Sequence, residues 1–217
     1  MDIEHARFNM IESQIRTWEV LDQAVLDTLA TVKREEFVPQ QYRSLAFVDM
    51  EIPLGHGEVM LSPKLEARLL QELTLEGGER VLEVGTGSGY MAALLSHLAG
   101  AVCSIELYPD LSQSAARKLS RAGIENVVLH VGNGALGWPA EGPFDAILLT
   151  GSVPIIPGGL REQLAPGGRL LAIVGDAPVM TARLVTQVSA GVYNETGLFE
   201  TCIAPLREVR QPERFVF

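Results

Sequence analysis

The chain has 217 residues, 27 of them acidic against 17 Lys and Arg, for a formal charge of −10, and 47% of its residues are hydrophobic. This balance excludes a disordered chain, and the acidity excludes a broad face gripping nucleic-acid phosphates. No apolar run approaches the roughly 20 residues of a membrane span, and the two cysteines, Cys103 and Cys202, lack the spacing of a disulfide framework or a zinc cluster. The opening stretch has neither the basic start nor the apolar core of an export signal. The expectation is one cytoplasmic domain over 1–217, with residues 1–75 forming an N-terminal helical and substrate-side part and 76–217 a nucleotide-type core.

Residues 8–32 show apolar positions at three- and four-residue spacings (Ile11, Ile15, Val25, Leu26, Leu29, Val32), which predicts helix, interrupted near Trp18, with Asp22 capping the second piece. Lys33-Arg-Glu-Glu reads as a solvated helix end carrying both charge signs, and Pro39 closes the segment. A loop marked by Pro53, Gly55 and Gly57 leads to Ser62-Pro63, where Ser as cap and Pro as first helical residue predict a helix to about Leu73. After Gly77-Gly78, short apolar strands at 80–84, 101–106, 126–131, 144–150 and 169–174 alternate with helices near 90–98 and from the expected cap Asp110 to Gly123. Strands apolar on both faces and separated by helices indicate a parallel sheet covered on both sides, an α/β Rossmann-like fold. Residues 181–204 lack a helix and read as an antiparallel pair at the sheet edge.

The chemistry is densest in the first strand-helix turn. Gly85, Gly87 and Gly89, with Thr86 and Ser88 between them, leave bare backbone before a helix N-terminus, where a nucleotide-type ligand can approach closely. Tyr90 stands where the dinucleotide fingerprint requires its third glycine. Glu83, ahead of the loop, suits a cationic amino-acid moiety better than a pyrophosphate, which points to S-adenosyl-L-methionine rather than NAD. Glu106 ends the next strand 106 − 85 = 21 residues after Gly85, where a carboxylate can accept both ribose hydroxyls.

At this point the sequence resembles the class I S-adenosylmethionine-dependent methyltransferases and, more narrowly, the protein-L-isoaspartate O-methyltransferase family, from about Met10 to Leu206. The marks are Lys33-Arg-Glu-Glu-Phe-Val-Pro, Ile52-Pro-Leu-Gly-His-Gly, Val81-Leu-Glu-Val-Gly-Thr-Gly-Ser-Gly-Tyr, Gly142-Pro-Phe-Asp-Ala-Ile-Leu-Leu-Thr and Leu164-Ala-Pro-Gly-Gly-Arg-Leu. The resemblance implies a mostly parallel seven-stranded sheet with an antiparallel C-terminal strand, helices on both faces and extra N-terminal helices. It also implies methyl transfer to isoaspartyl carboxylates of damaged proteins or peptides, and so a role in protein repair. Cofactor contacts are then expected from Glu83, Gly85, Thr86, Gly87, Ser88, Gly89, Glu106, Leu107, Asn133, Gly134 and Met60, and acceptor contacts from Leu61, Ser62 and Thr150.

Four segments depart from the family pattern, one of them its Thr-Ala-Ala-Pro, which is Thr150-Gly-Ser-Val-Pro154 here, with Thr150 kept and Ser152 adding a hydroxyl. Its Thr-Ile-Ser-x-Pro is Val59-Met-Leu-Ser-Pro63, so Leu61 holds the place of the hydroxyl and Ser62 serves as helix cap. Its Gly-Asp-Gly is Gly132-Asn-Gly134, in which the Asn133 carbonyl still accepts a hydrogen bond from an adenine amino group. Its Arg-Phe-Val-Pro-Leu is Cys202-Ile-Ala-Pro-Leu206, without the Arg. Loss of a hydroxyl and a cation from one pocket leaves two other readings open: a different acceptor on the same fold, or a protein that binds S-adenosylmethionine without turnover. The four histidines (His5, His56, His97, His130) share no ligand spacing, so no metal is expected, and His56 reads as a solvated loop residue. Cys103 should be a buried small hydrophobe, and Trp18 and Trp138 packing anchors.

Overall fold

The computed structural model describes residues 2–209. Its centre is a seven-stranded sheet built from β3 (Arg80–Val84), β4 (Ala101–Glu106), β5 (Val127–Val131), β6 (Phe144–Leu149), β7 (Leu164–Asp176), β8 (Val179–Ser189) and β9 (Val192–Thr201), in the order β5-β4-β3-β6-β7-β8-β9. The first five pair in parallel, while β7 with β8 and β8 with β9 pair antiparallel. The antiparallel C-terminal part expected from the sequence is thus a hairpin whose first strand runs against the rest. Strand order reverses between β3 and β6, which makes the crevice beyond their carboxyl ends the ligand-binding position of an open α/β sheet.

Alternation along the strands sorts the core into two apolar clusters. Val81, Val102, Ala146 and Leu148 join the larger one, and Leu82, Val84, Cys103, Ile105, Ile147 and Leu149 the smaller one on the other face. The larger face is covered by α5 (Tyr90–Leu98) together with the N-terminal helices α1 (Ile3–Met10), α2 (Gln23–Thr31), the four-residue α3 (Arg34–Phe37) and α4 (Pro63–Glu72). A small hairpin of β1 (Ile52–Gly55) and β2 (Glu58–Met60) leads into α4. Helix α6 (Pro109–Arg121) packs on β4 and β5, and the short α7 (Gly158–Arg161) on β7.

Most expected boundaries hold, and the differences have physical causes. Helix starts at Ile3, continues as π-helix over 11–15 and 3-10 turn over 16–18, and breaks at Glu19 with φ +60. Asp22 then caps α2 through the amides of Ala24 and Val25. Ser62 occupies the cap position of α4, yet its hydroxyl makes no capping bond. Its backbone carbonyl instead accepts from the Leu65 and Glu66 amides. Asp110 does not cap α6: Tyr108 takes that place because Pro109 is the first helical residue, and Asp110 lies in the first turn, where a negative charge suits the helix N-terminus.

The largest departure is Lys33-Arg-Glu-Glu, which is not a solvated helix end. Arg34 is fully buried and Glu35 nearly so. Arg34 pairs with Glu66 and donates to the carbonyls of Ala46 (2.9 Å) and Leu61 (2.7 Å), with the Tyr90 ring 5.0 Å away. Burial lowers the Arg34 pKa to about 10, against the raising influence of Tyr90, and it stays protonated. Glu35 pairs with the buried Arg7. A charge run folds inward here because every charge in it that leaves water finds a partner of opposite sign.

Candidate functional site

The carboxyl ends of β3, β4, β5 and β6 border a cleft of about 710 Å³, part of it open to solvent, which lies at the crevice predicted by the strand order. A hollow of about 290 Å³ adjoins it and shares Val59, Leu61, Gly85, Gly87 and Thr150 with its wall.

The glycine loop makes one side of the cleft. Gly85, Gly87 and Gly89 all have positive φ (101, 51 and 83), a region that favours glycine. A Cβ at Gly85 would collide with the Thr150 hydroxyl, and one at Gly134 would come 2.9 Å from Val84 Cγ1. The backbone here is bare by steric necessity. Gly87 is fixed by its amide, which donates 2.7 Å to Glu106 Oε2, while Glu106 Oε1 accepts from the Tyr108 amide at 3.0 Å. Glu106 is buried yet lines the cleft, so its carboxylate is oriented by backbone and keeps further lone pairs for a ligand. Leu107, Asn133 and Gly134 line the same wall. Asn133 Oδ1 accepts from the Ala135 amide at 2.8 Å, and its Nδ2 donates to Glu208 Oε2 at 3.0 Å, so the carbonyl retains one lone pair.

Glu83 lies elsewhere. It is fully buried and is not part of the cleft lining. The pleat explains its place: Glu83 shares the sheet face of Val81 and stands opposite Ser104 on β4, under α5 rather than beyond the strand end. Ser104 donates to Glu83 Oε2 and contacts the Thr86 hydroxyl, while Glu83 Oε1 has no hydrogen-bond partner among the described residues. Burial pushes the Glu83 carboxyl up to about 8; the charge of Glu106 adds to the rise and the Ser104 hydrogen bond opposes it. The carboxyl is therefore mostly protonated at neutral pH.

Thr86 and Ser88 line the hollow rather than the main cleft, as does Met60. Gly89 packs against Ala115 at the start of α5 and lines neither space. Lys118 on α6 ties this loop to the N-terminal layer, donating to the carbonyls of Phe37 (2.8 Å) and Ser88 (3.2 Å). Burial lowers its pKa to about 8, with the charge of Arg117 adding to the fall.

On the acceptor side, Leu61 is buried and lines both spaces, with its carbonyl held by Arg34. Thr150 also lines both, but its hydroxyl contacts the carbonyls of Val84 (2.9 Å) and Gly85 (2.7 Å). Its single proton is used there, which clamps the ends of β3 and β6 together. Ser62 is half-buried and Cys202 exposed, and neither lines the cleft. His56 is more than a solvated loop residue: its ring stacks on Tyr108 at 4.1 Å, and Nε2 lies 3.0 Å from both carboxylate oxygens of Asp110. Sequence reasoning missed Tyr108, Glu58 and Arg207 as cleft residues. Tyr108, two residues beyond Glu106, was within reach of a motif argument. Glu58 and Arg207 are 149 residues apart and meet only through the fold.

The family model for protein-L-isoaspartate(D-aspartate) O-methyltransferase (PCMT) matches residues 5–207. The protein-L-isoaspartate O-methyltransferase 2 of Anaeromyxobacter sp. (strain Fw109-5) is 43% identical over 207 residues, covering 95% of this chain and 83% of its own. The protein-L-isoaspartate O-methyltransferase of Myxococcus xanthus (strain DK1622) is 47% identical over 156 residues, 72% of this chain and 74% of its own. Among solved structures, a protein-L-isoaspartate O-methyltransferase superposes with TM-score 0.80 at 27% identity, covering 94% of this chain, which spans 65% of that one. A Plasmodium falciparum protein described as a putative protein-L-isoaspartate O-methyltransferase in complex with S-adenosyl-L-homocysteine has the same fold, with TM-score 0.81 at 21% identity over 96% of this chain and 99% of its own. The chain belongs to the protein-L-isoaspartate(D-aspartate) O-methyltransferase family.

Proposed function

We propose that this chain transfers the methyl group of S-adenosyl-L-methionine to the free carboxylate of isoaspartyl residues in proteins or peptides, the first chemical step of their repair in the cytoplasm. The observation that carries the reading is the continuity of the cleft with the hollow: glycine backbone and Glu106 on one side, Leu61 and Thr150 on the other. The residues fit an adenosyl group. Gly85 and Gly134 have no room for a Cβ against Thr150, Val84 and Ile105, so main chain without side chains borders the cleft there; Glu106 supplies acceptors suited to ribose hydroxyls, and Asn133 keeps an acceptor suited to an adenine amino group. When bound, S-adenosyl-L-methionine supplies a methyl group on a positively charged sulfur.

The chain's own part is alignment and exclusion of water. A carboxylate with an ordinary pKa of about 4 is ionised at neutral pH, so no general base is needed. Leu61 and Val59 present an apolar wall, and water removed from a carboxylate there no longer competes for its lone pairs. Thr150, its proton engaged with the Val84 and Gly85 carbonyls, donates nothing that would hold those lone pairs back. Arg34, through the Leu61 carbonyl, fixes the wall's position. Glu83 acts beneath the loop, through Ser104 and Thr86, as a positioning residue.

The test is incubation with methyl-labelled donor and an isoaspartyl peptide, with the aspartyl peptide as control. A base-labile methyl ester on the isoaspartyl peptide alone is the expected product. Absence of label above the blank, in protein that binds S-adenosyl-L-homocysteine by calorimetry, would overturn the substrate assignment.

A further inference from the structure

The acceptor side offers a carboxylate few donors: Leu61 has no hydroxyl, the Thr150 proton is engaged, and Cys202 lies outside the cleft lining. Among the described residues that line the cleft, Arg207 is the one cation. Its Nε donates 2.6 Å to Glu58 Oε1, so a contact between the C-terminal segment and β2 spans the cleft. The backbone around Arg207 is anchored. Ser152 and the segment exchange amide bonds at Ala204 and Leu206 (both 2.9 Å), and Glu208 accepts from Asn133. The guanidinium also has room made for it: a Cβ at Gly57 would stand 3.1 Å from Arg207 Nη2.

Resting on the proposed methyl transfer, we infer that Arg207 is a specificity-determining residue that recognises the acceptor carboxylate, with Glu58 holding its place until the substrate arrives. The Arg207 side chain is 46% exposed and that of Glu58 22%. An ion pair this exposed is held weakly, so exchange of one carboxylate for another costs little. The guanidinium has the planar fork of donors that matches two carboxylate oxygens, which Cys202 cannot supply. The exchange also explains how an acidic cleft, with Glu58 and Glu106 in its wall, admits an anion: Arg207 arrives already oriented, and Glu58 moves out with the charge it was neutralising.

Two measurements test this. One is steady-state methylation of an isoaspartyl peptide; the other is anisotropy of the same peptide, fluorescently labelled, with S-adenosyl-L-homocysteine present, which reads binding without turnover. Arg207→Ala should raise KM and the peptide Kd about tenfold or more, with kcat, melting temperature and S-adenosyl-L-homocysteine affinity within about twofold or unchanged. Arg207→Lys should fall between, because a point charge replaces a fork. Glu58→Gln, which removes the competing carboxylate, should tighten peptide binding. An unchanged peptide Kd in Arg207→Ala overturns the inference, and so does a parallel loss of S-adenosyl-L-homocysteine, which would make the residue part of the cofactor's enclosure. If wild type makes no methyl ester, the functional proposal fails and anisotropy decides Arg207 alone. Wild-type binding that Arg207→Ala abolishes sustains it, and no wild-type binding overturns it.

Discussion

On the cofactor side of the cleft, position is fixed by backbone. Gly85 and Thr86 donate to the Ile105 carbonyl, Gly132 to that of Glu106, and Thr150 to that of Val84, so the strand ends and the glycine loop form one lattice of main-chain bonds. On the acceptor side, position is fixed by side chains acting over long stretches of sequence, Arg34 to Glu66 and Arg207 to Glu58. The first arrangement depends on glycines and on a few side chains that bond to main chain, Glu106 to the Gly87 amide and Thr150 to the Val84 and Gly85 carbonyls. In the second, a single substitution can release a whole wall. Of the departures from the family pattern, those at Leu61 and Cys202 fall in the second region, and the one at Asn133 lies on the cofactor wall but leaves its carbonyl as an acceptor.

The contrast can be tested by breaking each side in its own way. Arg34→Ala leaves Glu66 buried without a partner and should destabilise the chain by about 3–5 kcal/mol in denaturant titration, while Arg34→Met with Glu66→Leu should recover most of that loss. A double variant no better than the single one would show that the pair does not hold the layer. Gly85→Ala meets both positive φ and the Thr150 hydroxyl, and should weaken S-adenosyl-L-homocysteine binding about 100-fold by calorimetry, with peptide binding affected only through it.

Glu83 separates stability from binding. Its carboxyl stays protonated in the folded chain up to about 8 but ionises in the unfolded chain near 4.5. Stability is therefore full below about pH 4.5 and is lost as the pH rises through 8. Glu83→Gln should remove that loss, and the difference between the two proteins should grow by about 4 kcal/mol from pH 5 to 9. Parallel pH curves would rule it out. Glu106→Gln keeps one acceptor and loses the charge, so S-adenosyl-L-homocysteine should bind about tenfold more weakly with little change in melting temperature. The smallest effect is expected from Leu61→Ser: a gain of a few-fold in isoaspartyl kcat/KM, at a cost in stability of about 2 kcal/mol for the cavity. No gain, with donor binding intact, would mean that the wall cannot use a hydroxyl.

How much of this was legible in the sequence follows the same division. The strands at 80–84 and 101–106 have the bounds expected, because a parallel strand buried on both faces is mostly apolar and a glycine marks an end of each, Gly85 after the first and Gly100 before the second. The glycine loop and Glu106 were legible because backbone geometry demands those residue types. Glu83 was misplaced because motif spacing says where a residue stands along a strand, whereas the pleat decides which face it takes. Arg34 was misread because a mixed charge run looks solvated, and the partner that turns it inward comes 32 residues later, at Glu66. Arg207 carried no local signal at all; its meaning lies in Glu58.

The buried Arg34 also limits how the two sides could be exchanged between relatives. Its guanidinium belongs to the N-terminal layer, one partner to α4, and its remaining donors reach carbonyls at Ala46 and Leu61, so four stretches of chain share one charge. A chimera that grafts another acceptor layer onto this sheet inherits that charge or its counter-ion, and a junction placed between residues 34 and 66 separates the two. Recombination should fail with junctions between residues 34 and 66 and succeed after α4, which makes residues 34–66 a unit of inheritance.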